Sequence, residues 1–486
     1  MDTAAATAAG EEITARPAVA AKLPSAAGRL RRRAGALSRP RLDPYWTAAL
    51  FFVLFTVVSV ARWRSMATMS WDLGIFEQAI RGYAHLRAPI VDLKGPGTNI
   101  LGDHFSPVLM LLAPFYRLFP SPVTLLVAQS ALFALSTLPV TRVAAHVLGR
   151  GRGLAVGFAY GLSWGLQKAA DFDFHEIAFA VPLIAFSLEA VVRRRWTAAV
   201  GWAAPLVLVK EDLGVTAAAI GVVVLVRARR AVPPAIGLVA FGVTAAAVTL
   251  GLIIPAFNGS GSYDYWAKLG DDGPSAAIPL DTAVRTLLWI LLPTSGLLAL
   301  RSPLLLVALP TVGWRLISHD PHYWGTDWHY NAVLMPVVML ALVDALPEAR
   351  TAARPWLRSY AHHLPVAVLA AALALSTALP LGRLTEPATY RVPRAVPAVT
   401  RLLARIPDGA TVEADLRSIS RLAGRTRVLW TGDTRGIDPD YVTVQLHDGR
   451  TPEQTLAEVT ARHPRAAYAP LGAATDLVVF KKTTAR

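Results

Sequence analysis

Apolar segments of roughly 20 residues recur along this chain, separated by short polar stretches, and a segment of that length is what crosses a bilayer as a helix. Backbone in hydrocarbon has to satisfy its own hydrogen bonds, so such segments can be little other than helical. Of 486 residues 54% are apolar and only 17% charged, with a mean hydropathy of +0.42. Soluble domains carry about a quarter charged residues. The net charge of +15 would point to nucleic acid in a soluble chain. Here Arg clusters such as Arg193-Arg194-Arg195 and Arg227 to Arg230 sit in short loops, as cytoplasmic loops do. No aromatic and basic groove is present, so nucleic acid is not expected as a partner. With no cysteine, disulfides, thiolate nucleophiles and Cys-ligated metals are excluded.

Residues 1–43 are Ala-rich and then basic, and they predict a disordered cytoplasmic tail. No small-residue cleavage site follows before Arg62 and Trp63, which argues against a cleaved signal peptide. The first span is 45–61. Keeping the Arg clusters on one side gives further spans at 123–147, 153–170, 177–192, 197–210, 213–226, 232–256, 283–299, 303–317, 331–346 and 364–382. The fold class is therefore an all-α polytopic membrane domain, 44–382, of about eleven crossings. Its long first outer loop, 62–122, holds an amphipathic interfacial helix, with Leu73, Phe76, Ile80 and Tyr83 on one face and Glu77, Gln78 and Arg81 on the other. The segment 108–119 is too short to cross, and it reads as a juxtamembrane or re-entrant helix on the outer face, opened by Ser106-Pro107. Residues 383–486 form a small extracytoplasmic α/β domain. Its expected strands are Thr411-Val-Glu-Ala, Arg427-Val-Leu-Trp, Tyr441-Val-Thr-Val and Leu477-Val-Val-Phe, and its expected helices are 396–404 and 452–461.

This topology gathers the acids and imidazoles on the outer face. Charges near hydrocarbon are costly, so such a convergence marks a candidate site. Asp72 is placed either to cap the interfacial helix or to act as a general base at a cavity mouth. Asp103 and His104 precede the juxtamembrane helix. Asp171, Asp173 and His175 would share one face of an extended stretch, where they could hold a divalent cation such as Mg or Mn. The alternative is a solvated loop that caps the next helix. Lys210, Glu211 and Asp212 lie between two short spans. His319, His322, Tyr323, His329 and Tyr330 combine imidazoles with aromatic faces suited to a sugar or a phosphate head group. Arg64, Lys210 and His175 are candidate phosphate partners, against the plainer role of snorkelling near head groups.

Several of these segments together resemble a group of bacterial membrane proteins, domain-of-unknown-function family 2079. They are Trp71-Asp72-Leu-Gly-Ile-Phe-Glu-Gln-Ala, Asp103-His104-Phe-Ser-Pro, Tyr116, Gln129, Asp171-Phe-Asp-Phe-His175 and Lys210-Glu211-Asp212. The order and sidedness are also similar to GT-C membrane glycosyltransferases. In those terms Asp72 matches the first-loop acid, His104-Phe-Ser-Pro107 the His-Pro-Pro element, and Asp171 with Asp173 the second-loop acids. Leu73 departs from the second acid found beside the first in many such enzymes. The resemblance implies a GT-C-like transferase that moves a sugar from a lipid-phosphate carrier to an acceptor hydroxyl at the outer face of the cell membrane. Asp72, Asp103, His104, Asp171 and Asp173 would then be catalytic. Glu211, Asp212, His319, His322, Tyr323, His329 and Tyr330 would contact substrate. A membrane assembly or binding protein, and a lipid or solute transporter, are the alternatives.

Overall fold

Burial of the first loop's helix explains most of the architecture. The computed structural model describes residues 40–268, 277–447 and 449–483, so nearly all of the expected tail 1–43 lies outside the described residues. The chain opens with α1 (Asp43–Arg64). Then come α2 (Trp71–Ala84), a 3-10 turn over Pro107–Leu112 and α3 (Ala113–Leu118). The helical region continues with α4 (Pro122–Leu148), α5 (Arg150–Gly161), α6 (Trp164–Asp171), α7 (Ala180–Val192), α8 (Trp196–Ala203) and α9 (Leu213–Ala228). It ends with α10 (Pro233–Phe257), α11 (Leu280–Ser295), α12 (Leu309–Ile317), α13 (Leu334–Arg350) and α14 (Pro355–Ser376).

Local chemistry sets several of these boundaries. Ser121 accepts the Val123 N–H and Pro122 takes the first position of α4, while Gly149 at φ 84° ends it. Helix α13 is apolar on every side, and every residue from Leu334 to Val343 is buried, as expected of a central helix. Helices α9 and α10 meet through glycines. A Cβ on Gly242 would stand 2.4 Å from the Gly214 carbonyl oxygen, so only small residues permit this approach.

Helices α1, α4, α10 and α14 are long and apolar enough to cross a membrane. The other expected spans coincide with shorter or interrupted helical segments. The expected 153–170 span breaks at Leu162 and Ser163, and 197–210 is an eight-residue helix followed by a 3-10 turn. Eleven crossings therefore go beyond what helix length establishes.

The C-terminal region contains α15 (Ala395–Leu403), β1 (Thr411–Ala414), α16 (Leu416–Leu422), β2 (Arg427–Trp430), β3 (Tyr441–Gln445), α17 (Pro452–Arg462), β4 (Ala467–Ala474) and β5 (Leu477–Thr483). The strand order is β2-β1-β3-β5-β4. The first three strands are parallel, and β5 and β4 add in antiparallel fashion. The four expected strands are present. Strand β4 was not expected, because Ala, Pro470 and Gly472 are poor strand formers, and a bulge falls between Pro470 and Gly472.

The polar face of α2 corrects the interfacial expectation, since it is covered rather than solvated. Glu77 and Gln78 are buried. Gln78 donates to the Val428 carbonyl at 2.9 Å and accepts the Leu93 N–H at 3.2 Å. Arg81 donates to the carbonyls of Ala423 and Thr426. Ser70 donates to Ser420, Trp71 packs edge-on against Trp430, and Arg421 lies 3.9 Å over Trp63. Asp92 takes Arg427 through both carboxylate oxygens. A Cβ on Gly74 would stand 2.2 Å from Ile419, so α2 and α16 touch backbone to side chain.

Glu77 accepts a hydrogen bond from the Tyr116 hydroxyl at 2.9 Å, and its second oxygen has no hydrogen-bond partner. Burial pushes this carboxyl from 4.5 up to about 8, against the pull of Tyr116 and Arg81. Its stabilising contribution is complete below pH 4.5. It is lost as the pH rises to about 8, because the unfolded chain ionises first. Glu77→Gln should therefore melt above wild type at pH 8.5 and close to it at pH 4.5. A thermal melt of the purified protein at both pH values tests this.

Candidate functional site

Four segments converge beside the N-terminus of α2. The first is that N-terminus itself, which carries Asp72. The second is the loop after α6, with Asp173, His175 and Glu176. The third is Lys210 to Asp212 ahead of α9. The fourth is the stretch before α13, with His329 and Tyr330. Ser70, at φ 64°, turns the chain into α2, so Ser70 rather than Asp72 occupies the cap position, and it makes no side-chain cap bond. Asp72 lies inside the first turn and keeps part of its surface exposed.

Ligand atoms of Asp72, His175 and His329 all lie within 4.8 Å of one another. The two imidazoles stack, with centroids 3.5 Å apart and planes 24° apart. Behind them Glu176, which is 0% exposed, lies 2.5 Å from His175 Nδ1 and 3.1 Å from Lys210 Nζ. Gln129 holds the loop in place. Its amide donates to the Asp173 carbonyl at 2.7 Å, and its oxygen accepts the His175 N–H at 3.0 Å.

Burial raises the Asp72 carboxyl above its ordinary range, against the pull of His175. Asp173 is raised well above its range by burial and then by the charge of Asp72, although the backbone amides of Leu73 and Ser70 face it. The two acids therefore discourage each other's ionisation. Glu176 behaves oppositely. Burial opposes its ionisation, yet the His175 and Lys210 charges hold it well below the usual carboxylate range. His329 has no hydrogen-bond partner at either ring nitrogen, and burial keeps it neutral.

A second layer surrounds this centre. Glu211 accepts from His104 Nδ1 at 2.7 Å, the Phe105 N–H at 3.2 Å and the Tyr263 hydroxyl at 2.9 Å. Burial acts against its charge, but His104 and Lys210 outweigh it and hold the carboxylate at about 2. Asp212 stays raised to about 6 by burial, against the pull of Lys210. The His104 ring packs on Tyr265, and Lys94 pairs with Asp103 at 3.2 Å. Lys268 bridges Asp320 and the Tyr323 hydroxyl, each at 3.0 Å.

Several expected assignments change. Asp171 does not join Asp173 and His175. It still belongs to α6, and it is gripped by Arg62 at 3.0 Å and Arg383 at 2.6 Å. The cluster with metal-ligand geometry is therefore not the expected Asp171, Asp173 and His175. As phosphate partners, Lys210 and His175 are already committed to Glu176, while Arg64 is exposed at the end of α1. Asp103 and His104 stand in the second layer, each occupied by a charged partner. His322 is exposed and pairs with Asp320, whereas His329 and Tyr330 reach the centre side by side. The sequence expectations omitted Tyr263, Tyr265 and Lys268. The run Tyr263-Asp-Tyr-Trp-Ala-Lys268 was a legible aromatic signal between two expected spans.

Bundle, capping sheet and buried polar centre together define a membrane protein built on the fold of a known glycosyltransferase. The structure is similar to that of ArnT from Cupriavidus metallidurans bound to undecaprenyl phosphate. The TM-score is 0.53 at 14% identity, over 88% of this chain and 97% of that one. The apo state of the same enzyme gives 0.50 at 14% identity, over 89% and 98%. ArnT is a GT-C glycosyltransferase, and at this identity the likeness establishes the fold. Residues 62–478 match the family described as Predicted membrane protein (DUF2079), and the chain belongs to that family. No curated protein matches it.

Glu211 ties three segments together, so Glu211→Gln should weaken the grip on His104 and Tyr263. Hydrogen exchange in peptides covering 103–106 and 258–268 should rise several-fold, while exchange in α13 stays as in wild type. Unchanged exchange in both peptides would mean that the contacts to Glu211 do not hold these loops.

Proposed function

We propose that this protein is a multi-pass transferase of the cell membrane, with its N-terminus cytoplasmic and the sheet domain outside. It moves a sugar from a lipid-phosphate donor to an acceptor hydroxyl. The observation that carries this is Asp72, a partly exposed carboxylate at the centre of a buried His, Lys and Glu cluster, in a fold shared with ArnT. The neighbour's bound undecaprenyl phosphate supports a polyprenyl-phosphate carrier here.

The chemistry assigned to the site is a single displacement. The acceptor oxygen bonds to the anomeric carbon as the bond from that carbon to the phosphate oxygen breaks, through an oxocarbenium-like state. Asp72 takes the acceptor proton, and its raised pKa brings it closer to working pH, where a general base is most effective. The lipid phosphate leaves with the electron pair. Burial and the charge of Asp72 oppose ionisation of Asp173, which leaves Asp72 the readier of the two to carry charge. The phosphate's positive partners are drawn from Arg64, Lys94 and Lys268, which are more exposed than Lys210, the lysine that Glu176 holds in the interior.

The test uses purified protein in vesicles loaded with undecaprenyl-phosphate monosaccharides, with release of the lipid monophosphate as the readout. Asp72→Asn should lower release by about 100-fold or more, since a positioned base contributes on that order. Its abundance and melting temperature should stay near wild type. Wild-type release by the variant would remove Asp72 from the chemistry.

A further inference from the structure

Asp72, His175 and His329 come from segments about 100 and 150 residues apart in the chain, yet their donor atoms fall within one 4.8 Å group. His329 is 4% exposed and neither ring nitrogen has a hydrogen-bond partner. A buried imidazole with both nitrogens idle is rare, because buried polar groups are nearly always paired. His175 has a buried carboxylate beside it, with Glu176 2.5 Å from its Nδ1. A carboxylate behind a histidine is the usual support for a metal-binding imidazole, since it orients the ring and raises its basicity. The local charge balance also favours a cation. Glu176 neutralises Lys210, and the group retains the Asp72 carboxylate.

We infer that Asp72, His175 and His329 bind a divalent transition-metal ion of the zinc type, with Glu176 supporting His175. Two imidazoles and one carboxylate suit Zn2+, Co2+ or Fe2+, whereas Mg2+ prefers an all-oxygen shell. The ion draws His329, which no hydrogen bond restrains, out of its stack on His175. Three protein donors leave a coordination position open. A phosphate oxygen of the donor could take it, and one oxygen of Asp72 stays available to the acceptor proton. Only this use of the open position rests on the transferase reading. Binding of the ion itself does not.

The experiment takes the full chain, purified and stripped with chelator, and titrates it with Zn2+ by calorimetry and with Co2+ by visible absorption. One ion per chain should bind at micromolar concentration, with a Co2+ d–d spectrum showing nitrogen ligation, and millimolar Mg2+ should not displace it. His329→Ala and Asp72→Asn should each weaken binding at least tenfold. His322→Ala, in the exposed pair with Asp320, should leave it unchanged. Asp72→Asn keeps its size and is partly exposed, so it covers the case in which His329→Ala fails to fold. The inference falls if the wild type binds no ion in this range, or if binding survives Asp72→Asn but is lost with His322→Ala. Sugar transfer by an ion-free wild type would leave the transferase standing and remove the ion from its chemistry. Ion binding without transfer would do the reverse.

Discussion

A carboxylate with no access to water has to be matched by positive charge, and Glu176 meets that condition through His175 on one oxygen and Lys210 on the other. Removing one partner from such a buried pair typically costs about 3–5 kcal/mol, because the other charge is left stranded. The loop after α6 and the turn before α9 are therefore fixed relative to each other. The neighbouring groups inherit that fixity. His175 stacks on His329, Asp173 lies under the N-terminus of α2, and Glu211, next to Lys210, collects His104 and Tyr263. The centre is an ordered sequence of ion pairs and stacked rings, and Asp72 is one of its partly exposed members.

The second organising contact is the seam between α2 and the sheet. Its apolar part joins Ile75 and Ala79 to Ile419, Leu422 and Val428, and polar bonds run beside it. Gln78, Arg81 and Arg427 bond to backbone carbonyls or to Asp92, and Ser70 bonds to Ser420. Such bonds are directional, so they specify register as well as adhesion. The close approach at Gly74 has the same effect, since Ile419 fits only over a bare Cα. The helix that presents Asp72 is thus held by the membrane bundle on one side and by β2 and α16 on the other.

Much of this was legible in the chain. Apolar run lengths located the helical region, and alternation located four of the five strands. The polar residues that fall between apolar runs included Asp72, His175, Lys210 and His329, which do meet. What could not be read was which neighbours pair. Alternation from Asp171 assumed an extended chain, but the chain is still helical at Asp171, so that side chain turns to Arg62 and Arg383 instead. The polar face of α2 looked like a water-facing surface, because nothing local announces that β2, some 350 residues later, will cover it. Strand β4 owes its conformation to pairing with β5 rather than to its own residues.

That seam also bears on how the protein is made. Residues 411–430 complete the cradle of α2, although they emerge from the ribosome after every long apolar helix. A nascent chain halted before them could be fully inserted and still hold Asp72 on an unanchored helix. The arrangement of the cluster is thereby tied to completion of translation, and a truncated product keeps the bundle without the contacts that fix α2.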